Sequence, residues 1–193
     1  MKKCLAILVV LALLSLAGGG CDELEKLLGP MGNSTEAEGD VNFRLLISDE
    51  ANAIGDFEAL YVTITSIGVY QGGESASWEE IILDPAEPVD LVLLQEQNAT
   101  EIWSGQLDDG AYTKVFIYVS DVEGVLNEDI EGEYTVKLPS GKMHISQAFE
   151  VTGGEVTEFV YDITVIKSGK SGQYIIQPQI SESGPDKDFV EVD

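Results

Sequence analysis

Apolar and polar residues alternate in twos through most of this chain, a period that strands satisfy and helices do not. Val115, Ile117 and Val119 interleave with Lys114, Phe116 and Tyr118. Phe159, Tyr161, Ile163 and Val165 do the same against Glu158, Asp162 and Thr164. Successive side chains of a strand face opposite sides, so each run has one face to bury. In the stretch from Leu60 to Val69, Leu60, Val62 and Ile64 fall in one phase and Ile67 and Val69 in the other. A β-bulge or bend at Thr65 and Ser66 reconciles the two phases.

Turn chemistry divides these runs. Gly72-Gly73, Asp109-Gly110 and Pro139-Ser140-Gly141 punctuate strand ends. Gly153-Gly154 is the signature of a two-residue hairpin in which both glycines accept positive φ. The pattern predicts strands near residues 41–48, 57–70, 77–83, 88–93, 111–124, 132–138, 143–151, 155–166 and 173–181. It also predicts a short helix or helical turn over 93–104. About nine strands at such spacing imply an all-β fold, an antiparallel β-sandwich of immunoglobulin-like or transthyretin-like kind.

The first residues carry an address. Lys2 and Lys3 precede the apolar run Leu5 to Ala17, and Gly18, Gly19 and Gly20 lead to Cys21. As a helix the apolar run rises about 20 Å, short of a hydrocarbon core of about 30 Å. Charged, apolar and small-residue regions in this order describe a secretory signal. The last part resembles the lipobox of prokaryotic lipoproteins, with Gly18 where an aliphatic residue is usual. That resemblance implies lipidation of Cys21 and a location on the extracytoplasmic side of the cell membrane. A diacyl group supplies two chains, enough for stable anchoring where one is marginal. Four segments are therefore expected: a lipoprotein signal over 1–20, an acidic flexible tether over 21–40, a β-sandwich domain over 41–181 and an acidic disordered tail over 182–193.

Charge excludes whole classes of partner. The chain has 35 acidic against 10 basic residues, a formal net charge of −25, and loss of Lys2 and Lys3 with a signal makes it more acidic. Nucleic acid and anionic lipid both need clusters of Lys or Arg, and Arg44 is the one arginine here. The expected partners are the membrane, through the anchor, and an envelope protein or glycan.

The blocks Phe57-Glu58-Ala59-Leu60-Tyr61-Val62-Thr63-Ile64, Val89-Asp90-Leu91-Val92-Leu93-Leu94-Gln95, Gly110-Ala111-Tyr112-Thr113-Lys114-Val115 and Gly172-Gln173-Tyr174-Ile175-Ile176-Gln177-Pro178 resemble those of the domain of unknown function 4382. The resemblance runs over about residues 40–181. It implies an exported, often lipid-anchored prokaryotic protein with no established activity. Its blocks are strand-and-turn scaffold and bring no catalytic residue with them.

The residues themselves supply no reaction. His144 is the one histidine and reads as a surface or packing residue, since no nucleophile elbow or oxyanion motif accompanies it. Gly169-Lys170-Ser171 imitates the end of a phosphate-binding loop, but Thr164 stands where its first glycine belongs and a strand follows. No catalytic set, resident metal or cofactor is assigned. Calcium is a candidate for binding by Asp49, Glu50 and Asp56 in one loop and by Asp108 and Asp109 in another, although neither loop follows an EF-hand pattern. Asn33 and Asn98 begin N-glycosylation sequons. Trp78, Trp103, Tyr61, Tyr70, Tyr112 and Tyr118 are candidates for an aromatic sugar platform. The expected role is a binding or envelope-interaction module, with a secreted carboxylate-dependent hydrolase and a structural envelope component as alternatives.

Overall fold

The computed structural model describes residues 41–192 apart from 75, 131, 170 and 171. The signal, Cys21, the tether and Asn33 lie outside these residues. Among the described residues no helix is long and apolar enough to cross a membrane.

The described residues form thirteen strands: β1 (Phe43–Glu50), β2 (Phe57–Gln71), β3 (Ser77–Ile82), β4 (Pro88–Asp90), β5 (Asn98–Gly105), β6 (Gly110–Leu126), β7 (Thr135–Lys137), β8 (Lys142–Ile145), β9 (Phe149–Val151), β10 (Thr157–Ser168), β11 (Gln173–Pro178), β12 (Gly184–Pro185) and β13 (Val190–Glu191). They form two sheets. One has the order β13-β5-β1-β10-β11-β7, with β12 beside β10. The other has the order β3-β2-β6-β8, with β4 on β2 and β9 on β6. The all-β sandwich expected from alternation is present, with more strands than nine because several are only two to four residues long.

The second sheet is organised by β2 and β6, antiparallel from Phe57 beside Leu126 to Gln71 beside Tyr112. Its register shifts between Thr63 and Ile64 and again between Ile64 and Ser66. That is the bulge at which the apolar phase changes sides. In the first sheet β1 and β10 run parallel at the centre, from Phe43 beside Thr157 to Glu50 beside Thr164. β7 with β11 and β5 with β13 are also parallel, so the sheets are mostly rather than wholly antiparallel.

The apolar faces meet between the sheets. Phe43, Leu45 and Ile47 of β1 and Phe159, Tyr161, Ile163 and Val165 of β10 pack against Leu60, Val62, Ile64, Ile67 and Val69 of β2 and Val115 and Ile117 of β6. Burying each such side chain contributes about 1.5–3 kcal/mol. Phe149 joins the layers where β1 begins, stacking on Phe43 at 5.3 Å and on Tyr112 at 5.2 Å between ring centroids. At another place Phe57 meets Tyr174 edge-on at 4.7 Å.

Three expectations are corrected. The short helix or helical turn expected over 93–104 is confined to a 3-10 turn over Leu91–Leu94, and strand β5 follows. Thr100, Ile102 and Trp103 favour a strand, and β5 pairs with β1 from Ala99 to Gly105. Gly153-Gly154 does form a turn, but β9 and β10 belong to different sheets, so it crosses the sandwich instead of closing a hairpin. Of its two glycines, Gly154 takes the positive φ, at 89°. Residues 182–192, expected to be a disordered tail, contribute β12 beside β10 and β13 beside β5.

Gly124 sits opposite Leu60, and a Cβ there would lie 2.7 Å from Cε1 of the buried Phe57 ring. Gly124→Ala is expected to lower stability by about 1–3 kcal/mol through overpacking. Urea titration with an unchanged slope would report it, and an unaltered midpoint would contradict this packing.

Candidate functional site

Each sheet of the sandwich has an open side, and the two lie next to each other. β3 and β4 both pair with the same side of β2. Across from them runs β5, whose outer side meets, among the described residues, only the two residues of β13. Between these walls lies a groove of about 750 Å³. Its apolar lining includes Ile82, Leu83, Leu93, Leu94, Ile102 and Trp103. Asp84, Glu87, Asp90 and Glu101 also line it, and among the described residues the lining holds no Lys, Arg or His.

Local structure explains why apolar side chains are left facing water here. Asp90 Oδ1 accepts from the backbone N–H of Val92 and of Leu60, both at 3.1 Å, which caps the 3-10 turn and ties it to β2. Four consecutive apolar residues, Leu91 to Leu94, then occupy one tight turn. Leu91 and Leu94 are buried, whereas Leu93 is 59% exposed. The Nδ2 of Asn98 donates to the Leu93 carbonyl at 3.0 Å and holds the turn against the start of β5. Farther along, β5 carries one residue more than β1 between Glu101 and Trp103. This bulge involves Ile102, a lining residue. Trp103 packs 6.2 Å from Phe43, and Gly105 leaves room for its ring, since a Cβ there would come within 2.4 Å of Cζ2.

An ion network fastens the wall formed by β5 and β13. Arg44 donates to Glu101 at 2.5 Å and to Glu158 and Glu191 at 2.6 Å. One guanidinium thus joins β1, β5, β10 and β13. Single exposed ion pairs contribute about 0–1 kcal/mol, and this half-buried fork serves chiefly to fix position.

A second polar feature is buried. Ser48 Oγ donates to Asp162 Oδ1 at 2.6 Å, and the Asp162 N–H donates to Ser183 Oγ at 2.8 Å. Ser183 in turn donates to the Gln179 carbonyl at 2.8 Å. Asp49, the next residue on β1, faces the opposite side of the sheet. It is fully buried, and neither carboxyl oxygen has a hydrogen-bond partner. Burial, followed by repulsion from Asp162 and Glu50, pushes its pKa up to about 8. Burial likewise raises Asp162 to about 6, against the opposing hydrogen bond from Ser48.

The residues considered for calcium are not brought together. Asp49 is interior, Glu50 accepts from Gln179 Nε2 at 2.6 Å, and Asp56 accepts from Lys167 Nζ and the Tyr174 hydroxyl, both at 2.6 Å. The Asp108 and Asp109 carbonyls accept from Tyr112 and Gln71. Among the described residues no group of three or more His, Cys, Asp or Glu side chains is arranged to hold a metal.

The aromatic candidates are also dispersed. Tyr61 and Trp103 line the groove, Tyr112 is in the core, and Trp78 lies edge-on to Phe116 at 4.8 Å. His144 is exposed on β8 and stacks on Phe116 at 5.1 Å, a packing role of the kind expected for it. The Gly169 turn is followed by β11, a strand, while Lys170 and Ser171 lie outside the described residues.

The groove escaped sequence reading because its walls come from four distant segments. Two of its residues, Tyr61 and Trp103, were in view as aromatic candidates, whereas the apolar run Leu91 to Leu94 reads equally as a buried segment.

Comparison with known proteins places the chain in a family. A family model described as domain of unknown function (DUF4382) matches residues 40–178, well over half of the chain, which therefore belongs to that family. No curated protein and no solved structure matches it.

The two raised carboxyls set a pH dependence. The fold favours their protonated forms, so the stability they contribute is fully present below the ordinary aspartate pKa of 3.8. It is lost as pH rises through about 6 and then about 8. The urea midpoint should therefore fall between about pH 6 and about pH 9, where ordinary carboxylates no longer titrate. Asp49→Asn should flatten the upper part of that fall. A wild-type midpoint that is level or rises over this range would contradict the assignment.

Proposed function

From its membership of that family, which carries no assigned activity, and from the groove, we propose that this chain is a binding module. It works on the extracytoplasmic side of the membrane, held there by lipidated Cys21, and engages an envelope partner through the lateral groove. The observation that carries the reading is the groove itself: apolar side chains held open to water by capped turns and strand edges, within an acidic rim. A cleft of about 300–1,000 Å³ with a mostly apolar floor and a few polar groups is the usual form of a binding site.

A carboxylate-dependent hydrolase gains no support from the same geometry. The two carboxyls with raised pKa values, Asp49 and Asp162, lie on opposite faces of their sheet and neither lines the groove. A glycosidase needs its pair converging across a cleft. Sequence supports the address through Lys2, Lys3, the apolar run and Cys21.

Two measurements check this reading. Cys21→Ser should move the protein from the membrane fraction to the soluble extracytoplasmic fraction, and persistence with the membrane would contradict anchoring through that residue. A photo-cross-linking side chain at Leu93 should give a discrete adduct in living cells, with none from the exposed Glu155. Equal labelling from both positions, or none from Leu93, would count against the groove as the working surface.

A further inference from the structure

Resting on that reading, we infer that the occupant of the groove is an extended segment of a partner protein in which apolar residues alternate with lysine or arginine. Three observations lead there. Among the described residues the lining is largely apolar and its charged members are all acidic. Asp84 and Glu87 make no ion pair among the described residues, so their charge faces whatever enters. At −25 the chain draws a cationic segment and repels a second copy of itself.

The shape of the site selects an extended occupant. Both walls are built from strands at sheet margins, β3 and β4 on one side and β5 on the other. β13 follows β5 only past Asn98 and Ala99, its last bond running from the Val192 N–H to the Ala99 carbonyl at 2.9 Å. Beyond that point no other strand among the described residues pairs with this side of β5, where backbone groups can bond an extended chain. Alternation then lets apolar side chains meet Leu93, Ile102 and Trp103 while basic ones meet Asp84 and Glu87.

The test uses the full chain with Trp78→Phe, which leaves Trp103 as its one tryptophan. Synthetic peptides are titrated against Trp103 fluorescence. A peptide alternating valine and lysine should bind saturably and weaken about tenfold at high salt or in Asp84→Asn/Glu87→Gln. Binding should be lost in Leu93→Asp, where an already exposed residue is changed and the fold is kept. Equal binding of a valine–glutamate peptide, a serine–lysine peptide or a peptide of the same composition in helical order would overturn the inference. So would binding that Leu93→Asp leaves intact, or dimerisation of the chain that buries Trp103.

The neutral apolar dye Nile red separates the two levels. If no peptide binds while dye fluorescence rises and is lost in Leu93→Asp, the cationic segment is wrong and the groove reading survives. If neither peptide nor dye binds, both fail.

Discussion

The parallel pairing of β1 with β10 is the constraint on which the rest of this structure depends. It joins residues more than a hundred positions apart, as in the bond from Ser48 to Asp162, and places both strands at the centre of their sheet. β5 attaches to one side of the pair and β11 to the other, so a fault here would displace both. The middle of each strand is continuously buried, from Leu45 to Asp49 in β1 and from Phe159 to Val165 in β10. Register is therefore set twice, by apolar side chains toward the core and by the Ser48–Asp162–Ser183 bonds on the other face. A one-residue slip would exchange those faces and bury unpartnered polar groups. Asp49 shows the tension, since its carboxyl is carried into the interior with no partner and stays mostly protonated at neutral pH.

Function, in this reading, comes from where the sandwich stops. The apolar faces of the two sheets meet in one core, while at one side β13 is too short to cover β5 and β3 and β4 pair separately with β2. The gap is held open by specific bonds: the Asp90 cap, the Asn98 amide on Leu93, and Arg44 between three glutamates. Apolar area exposed at such a site retains the free energy of burial for a partner to claim. The acidic rim adds selectivity and faster encounter.

Much of the scaffold was legible in residue order because period-two alternation is a local signal. The strands around Val115 and Phe159 and the phase change at Thr65-Ser66 could be read directly. What failed depended on distant partners. β5 was misread because its own residues say nothing of β1 beside it, and residues 184–191 because single pairs of residues find their strands only in three dimensions. The Gly153-Gly154 turn was found, but which sheet each flank joins is not local information. For the site, Asp49, Glu50 and Asp56 were noticed as acids, yet folding gives each a different environment: interior, glutamine-bonded and lysine-paired. Of the groove residues, Tyr61 and Trp103 stood among the aromatic candidates, while Leu93 and Leu94 fell in a run, Leu91 to Leu94, that straddled an expected strand and an expected helical turn.

The central claim is a firm sandwich built on β1 and β10 with an uncovered margin on β5. Amide hydrogen exchange of the free full chain, resolved by residue, tests it most directly because exchange follows local opening and solvent access. Amides of β1 and β10 should be among the slowest, while those of β5 beyond Ala99 divide into slow ones directed at β1 and fast ones directed away. Uniformly slow exchange along β5, at the level of β10, would mean that its margin is covered, and the open groove would be contradicted.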